Sequence, residues 1–306
     1  MTLLWVILAC SGPTPPNPED SEDTGPAACG SAWQVLSLGT PSCGIRDGGC
    51  LQCWGADEYP GLLENMPTGR FIDVSVTRTW DWDWSGPTAC TVGDAGELLC
   101  WHTLGEYGGS WVDSGWSHVS HSDSLTCAIR DDDSLACRES TGDWYELGAS
   151  FAQVDVDEYY GTWCATQTDG TLHCGWIDGR LRWSTTMSGG PFSSPSVNDH
   201  LACAVDAAGT AQCWELFGDE VATHTNRPQR APAARAVPLS WKGVLTLDAK
   251  GFVSSAISHP IAERGGRYEM IDVIGMAACG ITIHGEIECF DELGPRPDLE
   301  PPSESP

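Results

Sequence analysis

Seven times along the chain, apolar and polar residues alternate in one short arrangement. The cleanest copy runs from Cys203 to Cys213, with Cys203, Val205, Ala211 and Cys213 at even positions and polar or small residues between. With the first cysteine as position zero, six copies carry a second cysteine at plus ten. They are Cys43/Cys53, Cys90/Cys100, Cys127/Cys137, Cys164/Cys174, Cys203/Cys213 and Cys279/Cys289. Plus two is Ile45, Val92, Ile129, Thr166, Val205 or Ile281, and plus eight is Leu51, Leu98, Leu135, Leu172, Ala211 or Ile287. Plus six is Gly49, Gly96, Gly170, Gly209 or Gly285, with Asp133 in the third copy. The remaining copy lacks both cysteines and reads Leu245, Leu247, Asp248, Gly251, Val253, Ser255.

Even positions share one face of a two-stranded ribbon. Zero then pairs with ten and two with eight, which leaves plus four to plus six as a three-residue loop. Such loops end in a left-handed residue, and glycine is its preferred occupant. Aspartates at plus three to plus five suit the same turn. Cysteines directly across two antiparallel strands are within disulfide reach, so the pattern predicts six hairpins stapled alike.

Ahead of most hairpins an apolar residue is followed three later by another, as in Phe71/Val74, Phe151/Val154 and Tyr268/Ile271. These mark a further strand. After the second cysteine come Trp54, Trp101, Trp214 or Phe290, then a longer loop and a weak strand. No amphipathic helix is predicted. Each unit thus has about four short strands, and the units recur about every 40 residues, the signature of a propeller. The expected fold is all-β: a seven-bladed β-propeller over residues 31–293, in one domain.

The run Cys43-Gly-Ile-Arg-Asp47 through Cys53-Trp54-Gly55, preceded in other copies by Phe-x-x-Val, resembles the regulator of chromosome condensation (RCC1-like) repeat. Copies diverge: Arg138-Glu139 and Gly175-Trp176 replace Trp-Gly. The resemblance implies a seven-bladed β-propeller and a habit of binding proteins. It does not imply one activity, because members of the family range from an exchange factor for a nuclear GTPase to bacterial inhibitors of β-lactamase.

Composition narrows the setting. The 306 residues carry 43 acidic and 15 basic side chains, a net charge of −28. That argues against a nucleic-acid partner, which needs Lys and Arg for phosphates. Fifteen cysteines in this pattern imply an oxidising compartment rather than thiols or zinc. Cys50-x-x-Cys53 alone has zinc spacing, and no second ligand pair follows it. Cys29 and Cys50 fall outside the plus-ten scheme; they either pair with each other or stay free, and the even count favours a bridge.

The chain opens with a short apolar run, Leu3 to Ala9, that suits a signal peptide over 1–9. Ile7-Leu8-Ala9-Cys10 resembles the lipobox of bacterial lipoproteins, which implies lipidation of Cys10 and a place in the bacterial cell envelope. Ser11 after that cysteine leans toward the outer membrane, on its periplasmic or its surface side. No Lys or Arg precedes the apolar run, so an ordinary secretory signal with a chance cysteine is the alternative. Residues 10–30 read as a flexible linker and 294–306 as a disordered tail. The only expected membrane contact is the N-terminal lipid.

No catalytic constellation rises above background: there is no G-x-S-x-G, no H-E-x-x-H and no phosphate-binding glycine loop. His118 and His121 read as loop residues, Asp131-Asp132-Asp133 as a hairpin turn, and Asp155-Val156-Asp157-Glu158 as a solvated strand end. No metal, cofactor or enzymatic activity is expected. Fifteen tryptophans are many, and most suit blade packing. Trp80, Trp82 and Trp84 differ, because they alternate with Asp81 and Asp83 inside an insertion that separates Val74 from Cys90. A smaller insertion in the fourth copy carries Tyr159 and Tyr160. These five aromatics are the candidate binding residues, placed on the face opposite the hairpin turns. The expected function is a monomeric, non-enzymatic, lipid-anchored propeller that binds an unidentified protein; a lectin-like, carbohydrate-binding propeller is the alternative.

Overall fold

The computed structural model describes residues 29–55, 60–77, 88–102, 114–123, 125–139, 143–157, 161–178, 181–198, 201–217, 220–222, 234–236, 239–240, 243–257 and 266–302. Within them the backbone forms seven antiparallel sheets, one per repeat, each built from consecutive strands. Blade one comprises Trp33–Ser37, Ser42–Arg46 and Cys50–Trp54, and blade two Phe71–Val76, Thr88–Gly93 and Leu98–His102. Blade three comprises Trp116–His121, Leu125–Arg130, Leu135–Glu139 and Tyr145–Gly148. Blade four comprises Phe151–Val156, Thr162–Gln167, Leu172–Asp178 and Leu181–Met187, and blade five Phe192–Asn198, Leu201–Asp206, Ala211–Phe217 and Glu220–Ala222. In blade six two pieces, Ala234–Ala236 and Leu239–Ser240, both pair with Gly243–Asp248, which also pairs with Val253–Ile257. Blade seven is Tyr268–Ile274, Ala277–Thr282 and Ile287–Phe290. The only α-helix among the described residues is the short Pro60–Glu64.

The hairpins have the predicted register. Cys43 faces Cys53 and Ile45 faces Leu51, and the other five cysteine-bearing copies match. The cysteine-free copy pairs Leu245 with Ser255. Every plus-six residue is left-handed, Asp133 included, with φ from 63° at Asp133 to 86° at Gly251. All seven expected disulfides are present, the bridge between Cys29 and Cys50 among them. The hairpin bridges hold their Cα atoms 4.0 Å apart in Cys43–Cys53 and 4.1 Å in Cys164–Cys174, the close spacing of non-hydrogen-bonded cross-strand pairs.

The inner strands explain the three-residue spacing of their apolar positions. Strict alternation would put Phe71 and Val74 on opposite faces. A register shift between Phe71 and Asp73 absorbs one residue, and both side chains enter the same cluster. The same shift follows the first residue of the inner strand in blades one, three, four and seven.

Seven core clusters correspond to the seven junctions between blades. In five of them the cysteine face of one blade meets the aromatic face of the next. Leu245, Leu247 and Val253 take the place of cysteine between blades six and seven, and Val244 is the blade-six residue that meets Cys203 between blades five and six. Cys127, Ile129, Leu135 and Cys137 of blade three pack on Phe151, Val154 and Trp163 of blade four. Cys164, Leu172 and Cys174 of blade four pack on Phe192, Val197 and Trp214 of blade five. Cys279, Ile281, Ile287 and Cys289 of blade seven pack on Trp33, Leu36 and Trp54 of blade one, which closes the ring. The hairpin disulfides therefore sit in the junctions: the first cysteine of every bridged hairpin is fully buried, whereas Cys29 of the remaining bridge is exposed.

The second cysteine is buried only where something covers the outer edge of its strand. Cys174 and Cys137 are fully buried, because a fourth strand pairs alongside and sets Thr185 beside Cys174 and Tyr145 beside Cys137. Cys53, Cys100 and Cys213 have no such strand opposite them among the described residues and stay only partly buried. Beyond Cys174 the structure also corrects the sequence reading. A longer loop and a weak strand were expected after the second cysteine. Instead the strand carrying Cys174 runs on to Asp178, and the fourth strand begins at Leu181 with seven paired positions. Gly175-Trp176 stands there in place of Trp-Gly, and Trp176 faces Trp183 across the pair. The extended hairpin continues the ribbon, as a shorter one does in blade five, where Ala211–Phe217 pairs with Glu220–Ala222.

The described residues at either end of the blade array are more ordered than the sequence suggested. Cys29 is bridged to Cys50, and the Gly30 amide donates to the Asp47 carbonyl at 2.9 Å, so the last residues of the expected linker are pinned beside the blade-one turn. The tail expected to fray from 294 folds back through Pro302 instead. Pro295 bridges Phe290, the Arg296 amide donates to the Cys289 carbonyl, and the indole N–H of Trp54 in blade one donates to the Leu299 carbonyl at 2.7 Å. Polar composition concealed this, because backbone groups and one half-buried leucine carry the contact. The rest of the expected linker, the signal peptide and Cys10 lie outside the described residues.

Candidate functional site: the loop face and the axial channel

The inner strand of each blade runs from the hairpin-turn face toward the opposite one. In blade two the strand ends at Val76, Thr77 follows it, and the next strand begins at Thr88. The Thr77 amide donates to the Thr88 carbonyl at 3.0 Å, and the Thr77 hydroxyl accepts from the Thr88 amide at 3.0 Å. This closed neck stands at the far end of the blade from the Asp94–Gly96 turn. The insertion with Trp80, Trp82 and Trp84 leaves from it, and those three residues lie outside the described set. In blade four the equivalent neck is the Asp157 amide donating to the Thr162 carbonyl at 2.8 Å. Tyr159 and Tyr160 leave from that neck and also lie outside the described residues. Both insertions thus start on one face, with blade three between them.

Asp157 is not the solvated strand end expected of it, since it is fully buried under this neck. Neither are His118 and His121 loop residues. Both belong to the inner strand of blade three. A histidine pair flanking Val119 and Ser120 gave no strand signal, because the register shift after Trp116 breaks the alternation. Asp131, Asp132 and Asp133 do form the expected turn.

The inner strands of blades one to five and seven line an axial cavity of about 300 Å³. Its polar side chains stitch each blade to the next through backbone amides. Asp272 accepts from the Leu38 amide at 2.7 Å, Ser37 from Val76 at 3.1 Å and Ser75 from His121 at 2.9 Å. Ser120 accepts from Val156 at 3.1 Å and Asp155 from Val197 at 2.8 Å. Each acceptor is the inner-strand residue opposite the first cysteine of its blade. Buried amides need partners, and here a neighbouring blade supplies them.

Two histidines sit in this ladder in opposite states. His118 ion-pairs through Nδ1 with Asp73 of blade two, and its Nε2 meets the Val154 carbonyl of blade four at 3.2 Å. Burial disfavours its proton, but the Asp73 carboxylate, the Val154 carbonyl and Asp155 outweigh that and raise its pKa to about 9. His118 keeps 37% of its side-chain surface open to the channel, so solvent screens the pair. His121 bonds Thr88 at 2.7 Å and Thr126 at 2.8 Å through its two ring nitrogens. Burial, helped by the nearby Arg138 cation, lowers its pKa to about 3 and keeps it neutral.

An Asp–His pair invites a catalytic reading, and the geometry opposes it. The Nε2 that would activate a nucleophile is directed at a backbone carbonyl, and the nearby Ser75 and Ser120 hydroxyls accept backbone amides. Among the described residues no group of three or more His, Cys, Asp or Glu side chains is placed to hold a metal ion. No helix among them is long and apolar enough to cross a membrane.

No family model and no curated protein matches this sequence. Solved structures match the fold. The ectodomain of the Physcomitrella patens receptor kinase CR4 is similar at a TM-score of 0.61 and 13% identity, over 85% of this chain and 74% of that one. The CRINKLY WD40 ectodomain of the Arabidopsis thaliana receptor kinase ACR4 is similar at 0.56 and 12%, over 87% and 99%. The computationally designed Ika8 protein is similar at 0.56 and 11%, over 86% and 84%. At these identities the likeness is one of fold, and the fold is the seven-bladed β-propeller that the repeats predict, with a disulfide set proper to an extracytoplasmic compartment.

Proposed function

We propose that this chain is a non-enzymatic protein-binding head, held at a bacterial cell envelope through lipid on Cys10. The observation that carries the reading is the pair of closed necks, Thr77–Thr88 and Asp157–Thr162, which launch the aromatic insertions of blades two and four from one face of a rigid ring. Loops over a rigid scaffold concentrate binding residues, and Trp is enriched at interface hot spots. Trp80, Trp82, Trp84, Tyr159 and Tyr160 are the residues assigned to it. Occupation of the channel's polar groups by blade stitching supports a scaffold over an enzyme. The alternation of Trp with Asp81 and Asp83 also suits stacking on a sugar ring, which makes a glycan the second reading.

The test is the full chain with Trp80, Trp82 and Trp84 all replaced by Ala. Melting temperature should stay near that of the wild type, while capture of an envelope protein is lost. Binding retained at a lowered melting temperature would assign the three tryptophans to packing. Signal on a glycan array that vanishes in the same variant would select the sugar. Membrane retention unchanged by Cys10→Ala would reject the anchor.

A further inference from the structure

The seven disulfides fall into two topological classes. Five join cysteines that follow one another in the sequence, from Cys90–Cys100 to Cys279–Cys289. The two in blade one are interleaved: Cys43 lies within the Cys29–Cys50 loop, and Cys50 lies within the Cys43–Cys53 loop. Four cysteines allow three pairings, and the native one is not the pairing of neighbours.

Neighbour pairing would join Cys29 to Cys43 and Cys50 to Cys53. The Cys29–Cys43 loop is shorter than the native Cys29–Cys50 loop, and the Cys50–Cys53 loop is shorter than the native Cys43–Cys53 loop. The native loops span 21 and 10 residues, so neighbour pairing closes at lower total entropic cost. The product cannot fold. Cys50 and Cys53 lie on one extended strand, Cys50–Trp54, where three residues span about 10 Å. A disulfide needs Cα atoms within about 7 Å. A Cys50–Cys53 bond therefore forbids the third strand of blade one. With it goes the placement of Trp54, which faces blade seven and anchors the C-terminal segment. The ring would stay open at its closing junction.

We propose that maturation of this chain requires a thiol–disulfide exchange reaction at blade one, performed by a dithiol isomerase of the compartment that oxidises it. The thiol oxidant, a disulfide-bearing protein, takes two electrons and two protons for each bond it makes. The exchange itself is redox-neutral. An isomerase thiolate attacks Cys50 Sγ, forming a mixed disulfide and releasing the Cys53 thiolate. Cys53 attacks Cys43 Sγ of the Cys29–Cys43 bond, making Cys43–Cys53 and releasing Cys29. The Cys29 thiolate attacks Cys50 Sγ, making Cys29–Cys50 and returning the isomerase thiolate. Blades two to five and blade seven need no such step.

The test refolds the reduced full chain carrying Cys10→Ser, which leaves the fourteen bridged cysteines. One arm uses excess ferricyanide, which consumes thiols without offering one for exchange; the other uses a mixture of reduced and oxidised glutathione. Bridges are mapped by mass spectrometry of unreduced peptides. The expected ferricyanide product has the five consecutive bridges but native pairing in blade one at or below the statistical one in roughly three, with Cys50–Cys53 prominent. Glutathione should raise native pairing in blade one about threefold and leave the other five bridges unchanged. The Cys29→Ser/Cys50→Ser variant should form Cys43–Cys53 equally in both arms. Full native pairing in ferricyanide, scrambling of all seven bridges alike, or a double variant that still needs glutathione would each overturn the proposal.

Discussion

The carbonyl of Gly285 accepts a 2.8 Å hydrogen bond from the amide of Trp33 and so joins the last blade to the first. The same bond recurs around the ring. Gly49 accepts from Phe71, Gly96 from Trp116, Asp133 from Phe151, Gly170 from Phe192 and Gly251 from Tyr268, between 2.7 and 3.0 Å. The left-handed turn residue therefore does more than close its own hairpin, because its conformation aims a carbonyl at the next blade. At Gly285 a side chain would be doubly resisted, by a φ of +77° and by a Cβ only 2.5 Å from that of Ala32. Gly285→Ala should destabilise by about 2–3 kcal/mol. Asp133→Gly, at a φ of 63° in the same role, should change stability by less than about 1 kcal/mol. Thermal melts of the two variants check this, and equal losses would remove the turn geometry from the account.

Blade six tests the value of the hairpin staple. Leu245 faces Ser255 in the register that cysteines occupy elsewhere. The Leu245→Cys/Ser255→Cys variant should form an eighth bridge, seen as a lack of free thiol in the head. Closing such a loop contributes up to about 3 kcal/mol, offset by roughly 1–2 kcal/mol from the smaller side chain at a fully buried site. The double variant should melt above Leu245→Cys alone. A lower melting point would mean that this junction packs leucine too closely to admit the bridge.

The two channel histidines give stability opposite dependences on pH. His118 binds its proton more tightly folded than unfolded, so its contribution is complete below pH 6.5 and is lost as pH rises toward 9. His121 is held neutral, so its contribution is present above pH 6.5 and is lost as pH falls toward 3. Asp73→Asn should abolish most of the decline of melting temperature between pH 6.5 and 9 and leave the acid limb intact. His121→Asn should flatten the acid limb. An alkaline limb unchanged by Asp73→Asn would show that another group titrates there.

Most of the fold is legible in the sequence because the hairpin is local. Register, turn residue and bridge all lie within eleven consecutive residues, and the period-two pattern survives in every copy. What is hidden depends on the junctions. Asp73, Ser75 and Ser120 look like ordinary polar strand residues, and only the neighbouring blade reveals them as acceptors for its amides. His118 and His121 were obscured by the one-residue register shift, and Asp157 by the burial that the blade-four neck imposes. The long outer hairpin beyond Cys174 was hidden for another reason, since Gly175-Trp176 breaks the Trp-Gly pattern and Leu181–Met187 lies outside the eleven residues that recur in every copy. The candidate binding aromatics were legible only as an interruption of the repeat. Their necks are placed, and the side chains themselves fall outside the described residues.

The C-terminal segment should act as a clasp on the closing junction. It takes the edge of Ile287–Phe290, where the Cys289 carbonyl accepts from the Arg296 amide at 2.7 Å and the Cys289 amide donates to the Glu300 carboxylate at 3.2 Å. It then crosses to blade one, where Leu299 packs on the shared cluster and accepts from Trp54. Arg296 fixes the bend between them by bonding Asp291 at 3.0 Å and Asp298 at 2.6 Å. Each lost hydrogen bond costs about 1 kcal/mol net, so deletion of 295–306 should remove roughly 3 kcal/mol before the burial of Leu299 is counted. The loss should be local. Hydrogen exchange should quicken in Ser42–Trp54 and Ala277–Phe290 and stay unchanged in Thr162–Asp178 across the ring. Trp54→Phe, which keeps the ring contact and removes only the indole donor, should cost about 1 kcal/mol and quicken exchange at the same junction. If the deletion leaves exchange in blades one and seven unaltered, the segment rests on the propeller without holding it closed, and closure belongs to the Gly285–Trp33 and Asp272–Leu38 bonds and the buried cluster.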